Sequence, residues 1–301
     1  MSLVINHNMM AANTARNLNA HYSQLSKSVQ RLSTGLRVNS AADDAAGLAI
    51  RELQRADIAT LQQGARNAND AISMIQTADG ALGVIDEKLT RMKELAEQAA
   101  TGTYDSTQRL MIESEYQAMA SEITRIANAT DFNGIHLLNG SLSSDTHDGS
   151  GMSASGKMKI HFGTGNDSAE DYYYIKIGTS TASALGVGNQ ALDESGKLRD
   201  GGTVSTQQAA QRALEAITNA IISKDKIRAH LGAMQNRLEN TITNLNTQAE
   251  NLQAAESRIS DVDVATEMTQ FVRNQILSQS AVAMLSQANS LPQMAMKLIG
   301  G

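Results

Sequence analysis

The chain has 301 residues, a formal net charge of −6, no cysteine, no tryptophan and a single proline, Pro292. Aromatic residues make up 3% and charged residues 19%. Missing thiols exclude disulfides and thiolate chemistry. An acidic balance with no basic cluster argues against nucleic acid as a partner. So few aromatics argue against a thick globular core and for thin bundles built on Ala, Leu, Ile and Met. No run of about 18 apolar residues is present, so no membrane insertion is expected. The start, MSLVINHNMMAANTARN, lacks the basic and apolar regions of a Sec-type signal peptide.

The first segment places Leu18, Tyr22, Leu25, Val29 and Leu32 at alternating steps of four and three, which predicts a helix with a heptad seam. The stretch LSTGLRVNSAADDAAGLAI (32–50) then interrupts the rhythm. Gly35 can end a helix with positive φ. Ser40 with Asp43 forms an S-x-x-D box that predicts a restart. The next helix is expected from about 43 to 101, with Leu61, Ala65, Ala68, Ile72 and Ile75 continued by Leu82, Leu89 and Ala96; at 1.5 Å per residue it would be roughly 90 Å long. Arg91 and Leu95 lie four apart and so share a face. A third helix, 105–128, carries Ile112, Tyr116, Met119, Ile123 and Ile126. It should fold back so that Glu115 lies near that face. DFNG (131–134) is a turn signal.

Residues 140–156 are rich in Gly, Ser and Asp and read as loop. Met158, Ile160 and Phe162 alternate with Lys159 and His161; Tyr173, Ile175 and Ile177 alternate with Tyr174 and Lys176. With GTGND between them, the two runs predict a β-hairpin. Residues 178–203 read mostly as loop. Helix returns at Ser205, where Ser-Thr-Gln-Gln208 reads as a capping box. Leu231, Leu238, Leu245, Leu252 and Ile259 then recur every seven residues, with Met234, Ile242 and Ala249 as a companion row. This seam needs a partner, and the helix over 43–101 is the obvious one. The two ends match each other. Residues 2–15 and 274–296 carry no Asp, Glu, Lys or Arg. Helices of that kind leave apolar surface in water unless something covers them.

No constellation for catalysis or for a metal or cofactor emerges. The six histidines have no ligand spacing and there is no HExxH. Asp43–Asp44 and Asp261–Asp263 suit first helical turns better than a metal. GTGND lacks the following helix and Lys of a phosphate loop. Tyr172–Tyr174 could be a carbohydrate or partner platform, but a cross-strand aromatic cluster covering the hairpin is the favoured reading. The fold class expected is mainly α: a long antiparallel bundle and coiled coil formed by the N- and C-terminal segments, with a small β-hairpin region in the middle.

Three stretches carry a family resemblance. LSTGLRVNSAADDAAGLAI near the start resembles the N-terminal region of bacterial flagellin. NRLENTITNLNTQAENLQAAESRISDVDVATEM (236–268) and AMLSQANSLPQMAMKLIG (283–300) resemble its C-terminal region. The resemblance covers 1–140 and 204–301 and leaves a short middle, without the large outer domains of longer flagellins. It implies a non-enzymatic subunit that polymerises with itself into the flagellar filament. Residues 1–33 plus 262–301 would form the inner-core coiled coil, and 34–46 plus 254–261 the spoke connectors. Residues 47–140 plus 204–253 would form the helical bundle, with 141–203 at the outer surface. By the same resemblance, Leu18, Leu25, Val29, Leu32, Phe271, Ile276 and Leu285 would be polymerisation and coiled-coil residues. Gly35, Arg37, Ser40, Asp43 and Asp261 would build the spoke, with Arg37 braced against Asp261 or Asp263. The ends would order on assembly. Partners implied are an export chaperone on the C-terminal helix, type III export, and the filament cap and hook-junction proteins. TRMKELAEQ (90–98) resembles the motif sensed by Toll-like receptor 5, with Arg91, Leu95 and Glu115 matching its contacts and Met92 and Lys93 as mild departures. A secreted helical adhesin or translocator, an enzyme displayed on a filament (disfavoured by the short middle without HExxH), and a hook–filament junction protein are the rival readings.

Overall fold

The computed structural model describes residues 7–150, 155–168, 170–189, 191 and 199–299, with 155, 291–293 and 295–299 described by backbone alone. Residues 2–6 of the charge-free start and residues 190 and 192–198 of the expected 178–203 loop lie outside the described residues. Four long helices dominate: α1 (Met9–Thr34), α2 (Ala45–Ala100), α3 (Ser106–Ala129) and α5 (Gln207–Ser260), followed by α6 (Val264–Ile299) as a fifth. A one-turn helix, α4 (Ala182–Leu185), interrupts the expected loop; Thr181 caps its start and Gly186 ends it at φ 78°. The strands are short antiparallel pairs: β1 (Asp131–Phe132) with β2 (Ile135–His136), β3 (His147–Asp148) with β4 (Ser155–Gly156), and β5 (Met158–His161) with β6 (Tyr172–Ile175). Lack of internal proline lets α2 and α5 run unbroken, and Gly80 and Gly83 lie within α2 without ending it.

The chain divides into two compact units, one of residues up to Ile58 with those from Glu250 onward, the other Ala59–Ala249. In the second unit α2, α3 and α5 share one core. Leu82, Ile85, Leu89, Met92, Leu95 and Ala96 of α2 meet Ile112, Tyr116 and Ile123 of α3 and Ile217, Leu231 and Leu238 of α5, all buried. The heptad rows at 82–96 and 231–245 thus face inward, as their spacing requires. Arg228 pairs with Asp79 at 2.7 Å and Lys224 with Asp86 at 2.5 Å, which registers α5 antiparallel to α2. Arg109 of α3 donates to the carbonyls of Ala99 and Thr101 and closes the end of α2.

The β5–β6 hairpin lies on this bundle by its inner face. Register pairs Met158 with Ile175 and Ile160 with Tyr173, so the alternating apolar set turns to the core. Gly64 makes the contact possible: a Cβ there would lie 2.0 Å from the Phe162 carbonyl oxygen. Asn67 donates to the His161 carbonyl at 2.9 Å, and the Arg237 guanidinium lies 3.6 Å from the Tyr173 ring centroid. At the other end of the bundle the sequence expectation is corrected. Helix α5 begins at Gln207, and its first turn is capped by Thr206, whose carbonyl and hydroxyl accept from Ala210 and Ala209. Ser205 is one residue too early, and its amide instead meets the Thr203 hydroxyl.

Candidate functional site

In the first unit α1 and α6 pair antiparallel over most of α1. Asn8 fixes one end: its side-chain oxygen accepts from Ala11 and caps α1, while its amide donates to the Ala288 carbonyl at 2.7 Å. Arg31 and Glu267 meet at 3.5 Å at the other end. Between them, the residues of α6 turned inward are Glu267, Phe271, Asn274, Ser278, Ala281, Leu285 and Ala288, at alternating steps of four and three. Those of α1 are Leu18, His21, Leu25, Ser28 and Leu32. This is a heptad seam, and it corrects the expected one. Tyr22 and Val29 lie one position off it, 50% and 49% exposed, with His21 and Ser28 in their places. Ile276 likewise points away at 56% exposure, whereas Phe271 and Leu285 turn inward. The two ends therefore cover each other on one face even within a single chain.

The faces turned away from the seam remain apolar. Val264, Met268, Val272 and Ile276 follow at every fourth residue, a single ridge along α6, and each is 44–57% exposed. Val282 and Met284 continue the apolar surface, and Met9, Met10, Tyr22 and Val29 do the same on α1. Fully covering one such side chain is worth about 1.5–3 kcal/mol, so this surface favours association through many modest contacts.

The connector between α1 and α2 is built by hydrogen bonds more than by charge. Gly35 ends α1 at φ 73°, its amide donating to the Arg31 carbonyl at 2.8 Å. Residues 35–37 then pair with the turn between α5 and α6. Arg37 donates from its backbone to Ser260 (2.7 Å), Val262 donates to Gly35 (3.0 Å), and Leu36 and Asp261 form an antiparallel bridge. The Arg37 guanidinium donates to the Ile259 carbonyl at 2.6 Å, which corrects the expected Arg37–carboxylate brace. Both acids are otherwise engaged. Asp261 accepts from the Ser257 hydroxyl, and Asp263 caps α6 by accepting from Ala265 and Thr266. Those bonds, the Thr266 hydroxyl first, hold the Asp263 carboxyl below the usual range.

Ser40 and Asp43 are also reassigned. They close a reverse turn: Asp43 accepts from the Ser40 hydroxyl and from the amides of Ser40 and Asn39, and these bonds lower its carboxyl pKa, the Ser40 hydroxyl most. The cap of α2 is Asp44, whose side chain accepts from Gly47 at 2.9 Å. Arg51 was not anticipated at all. It is buried and donates to the Val38 carbonyl at 2.9 Å, tying the connector to the first turns of α2.

On the second unit, Arg91 and Glu115 meet across α2 and α3. The guanidinium donates twice to one Glu115 oxygen, at 2.7 and 3.0 Å, and once to Glu94 at 2.9 Å. Glu115, then Glu94, raise the already high pKa of Arg91. Leu95 does not join them at the surface. It is 1% exposed, and Met92 is 0% exposed. Four residues on a 3.6-residue helix turn by about 40°. That rotation carries the side chain from the rim at 91 into the core at 95. Among the described residues no group of His, Asp or Glu could hold a metal, and no helix is long and apolar enough to cross a membrane.

Comparison with known proteins decides the family. Residues 5–143 match the bacterial flagellin N-terminal helical region and residues 214–299 the C-terminal helical region. Flagellin FlaB2 of Treponema pallidum is 40% identical over 297 residues, covering 99% of this chain and 100% of its own. The chain belongs to the flagellin family. A second flagellin, from Bacillus subtilis, is 42% identical over 306 residues, with 98% and 99% of the two chains covered. The solved Bacillus cereus flagellin is 28% identical, covers 64% of this chain and 94% of its own, and has a TM-score of 0.45.

Flagellins are structural proteins, the subunits of the flagellar filament, and a surface of shallow apolar ridges suits that role better than any cleft. The family's terminal regions coincide with α1, α6 and the helices they lead into. The flagellin motif LSTGLRVNSAADDAAGLAI holds both the αL ending at Gly35 and the true helix cap at Asp44. The seam partners His21, Ser28, Asn274 and Ser278 escaped the sequence reading because they are polar. Their steps of three and four would have revealed them had hydrophobicity not been the filter.

Proposed function

We propose that the chain builds the filament by pairing the apolar ridges of α1 and α6 with those of neighbouring copies, after export as a monomer. The observation that carries this reading is the exposed ridge Val264–Met268–Val272–Ile276, which the seam with α1 leaves uncovered. Stability then comes from repeated heterologous contacts between identical subunits. In this reading the seam residues Leu18, Leu25, Leu32, Phe271 and Leu285 hold the inner-core coiled coil together within a subunit. Val29 and Ile276 make contacts between subunits. Residues 34–46 and 254–261 are the spoke, with Gly35, Arg37, Ser40, Asp43 and Asp261 shaping its turns. Residues 47–140 and 204–253 are the helical bundle, and 141–203 the hairpin and loop region of the filament's outer surface.

By analogy with the family, the proposal extends to export through the flagellar type III channel, a chaperone on the C-terminal helix, and contacts with cap and hook-junction proteins. Cysteine-free, charge-poor ends support the first two. Purified chain seeded with filament fragments should grow long filaments. A truncation lacking residues 268–301 should stay monomeric, and normal growth of that truncation would refute the assembly role of α6.

The monomer is further proposed to be sensed by Toll-like receptor 5 through the Arg91–Glu115 face, with Leu95 acting from beneath by holding the two helices together. The exposed charged pair, 49% and 44% exposed, supports a contact that a receptor could reach. In an NF-κB reporter assay the Arg91→Ala, Glu115→Ala double variant should signal less than wild type at equal folded concentration. Equal signalling would remove the receptor role.

A further inference from the structure

The outer face of the β5–β6 hairpin carries chemistry that neither the core nor filament assembly uses. Alternation sends Met158, Ile160, Tyr173 and Ile175 inward. The same alternation turns Lys159 and His161 of β5 outward, opposite Tyr174 and Tyr172 of β6. One step beyond the paired residues, the register sets Lys157 opposite Lys176. Like charges facing each other across a strand pair are destabilising, and here Asp145 beside Lys176 and the Tyr174 ring under Lys157 offset that cost.

The cations are held in place. Lys157 lies 4.2 Å from the Tyr174 ring centroid and Lys159 3.6 Å from that of Tyr172. His147 lies against Tyr174 at 5.4 Å and His161 stacks on Tyr172 at 6.0 Å, while the two tyrosine rings meet edge to face at 5.4 Å. Cation–ring contacts of this kind fix the ammonium groups while leaving their N–H donors in water.

Three acids lie near this face. Asp145 pairs with Lys176 and is 89% exposed. Asp148 accepts from the amide and hydroxyl of Ser150, and Asp171 from the amides of Gly165 and Asp167, so these two carboxylates hold their own loops. Among the described residues, Lys157 and Lys159 have no acid partner within 4.0 Å. Three lysines and three aspartates balance on this face, but the aspartates are engaged with Lys176 or with their own loops, which leaves the Lys157 and Lys159 ammonium groups as its free charges.

We propose that this face binds an acidic polysaccharide, one bearing sulfate or uronate groups. Lysines two apart on a strand stand about 6.8 Å from each other, which lets successive ammonium groups reach separate anionic groups along a sugar chain. The phenol hydroxyls of Tyr172 and Tyr174 stand beside them to hydrogen-bond sugar hydroxyls. A nucleic-acid strand fits less well, because its bases need open aromatic faces for stacking, and here two lysines and two histidines lie against those rings.

The test uses full-length monomer and immobilised heparin, a sulfated uronate polymer, with neutral dextran and single-stranded poly(dT) as comparison probes. Wild type should bind heparin, not dextran, and lose it as salt rises. Lys157→Gln with Lys159→Gln should weaken heparin binding by about tenfold, the loss expected for a few screened ionic contacts, with an unchanged circular dichroism spectrum. Asp145→Asn, which releases Lys176, should strengthen it. Equal binding by wild type and the double variant, equal binding of dextran, or tighter binding of poly(dT) than of heparin would each overturn the proposal.

Discussion

Leu95→Ala separates a core residue from a surface contact. Leu95 is 1% exposed among Met92, Ala96, Ala99, Ile112 and Tyr116, all buried in the same cluster. Truncating a fully buried leucine costs 2–5 kcal/mol, the lost transfer energy plus the cavity left behind; about 3 kcal/mol is expected where three helices restrict collapse. A domain of this size has a urea m-value of about 2–3 kcal/mol per molar, so the unfolding midpoint should fall by about 1–1.5 M. Urea titration of the monomer followed by circular dichroism at 222 nm reads this directly. Leu110→Ala is the matched control, because Leu110 is 60% exposed. Arg91→Ala, at the rim, should leave the midpoint close to wild type. If Leu95→Ala shifted the midpoint no more than Leu110→Ala, the assignment of Leu95 to the core would be wrong. Any loss of receptor signalling by Leu95→Ala must then be compared at equal folded fraction, since unfolding alone would reduce it.

Tyr116 donates to the Gly201 carbonyl at 2.6 Å, and burial, ahead of the nearby Glu113 charge, pushes its phenol well above the ordinary value. A raised folded-state pKa means the stabilisation is complete below about pH 10 and is lost as pH rises beyond that; Tyr116→Phe should therefore flatten the fall in thermal midpoint between pH 10 and 12, while costing about 1 kcal/mol at neutral pH. An unchanged alkaline slope would contradict it. Gly35→Ala should cost about 1 kcal/mol, the penalty for a side chain in left-handed backbone, and Gly35→Asn less, because Asn tolerates that region. Equal thermal midpoints for the two would argue that no positive φ is needed there. Lys224 is 1% exposed and its partner Asp86 has a side chain 40% exposed. Asp86→Ala should thus destabilise by about 1–3 kcal/mol by leaving a buried ammonium with Asp225 alone, whereas Lys224→Met should be near neutral. The reverse order of thermal midpoints would refute that reading.

Much of the fold was legible because its helices are long and strongly periodic. The rows at Leu82–Leu89–Ala96 and Leu231–Leu238–Leu245 needed only their spacing to be placed in a core. The β5–β6 hairpin and its inward face were legible too, because Met158, Ile160, Tyr173 and Ile175 alternate cleanly, whereas the pairing of Ile160 with Tyr173 came from the structure. The α1 seam was misread because hydrophobicity selected Tyr22 and Val29, whereas the α1–α6 pair takes in His21 and Ser28. A filament subunit has two surfaces to cover, and its largest apolar residues need not face its own chain. Leu95 was misplaced for a geometric reason: a shared helical face spans enough angle to hold both a rim and a core position. The connector eluded spacing rules because backbone carbonyls, invisible to side-chain pattern, are what Arg37 and Arg51 bind. The cap was assigned to the Ser40–Asp43 box, whereas the next residue, Asp44, is the one that accepts from the amide of Gly47.

Seeded filament growth by chains altered on the exposed ridge of α6 tests the central claim. Val272→Asp with Ile276→Asp leaves the inward row Phe271, Asn274, Ser278 and Leu285 intact, so helix content and α1–α6 pairing should persist. Followed by light scattering and electron microscopy, wild-type monomer should elongate the seeds and the double variant should not. Elongation of the variant at the wild-type rate would show that the ridge left uncovered by the seam does not join one subunit to the next.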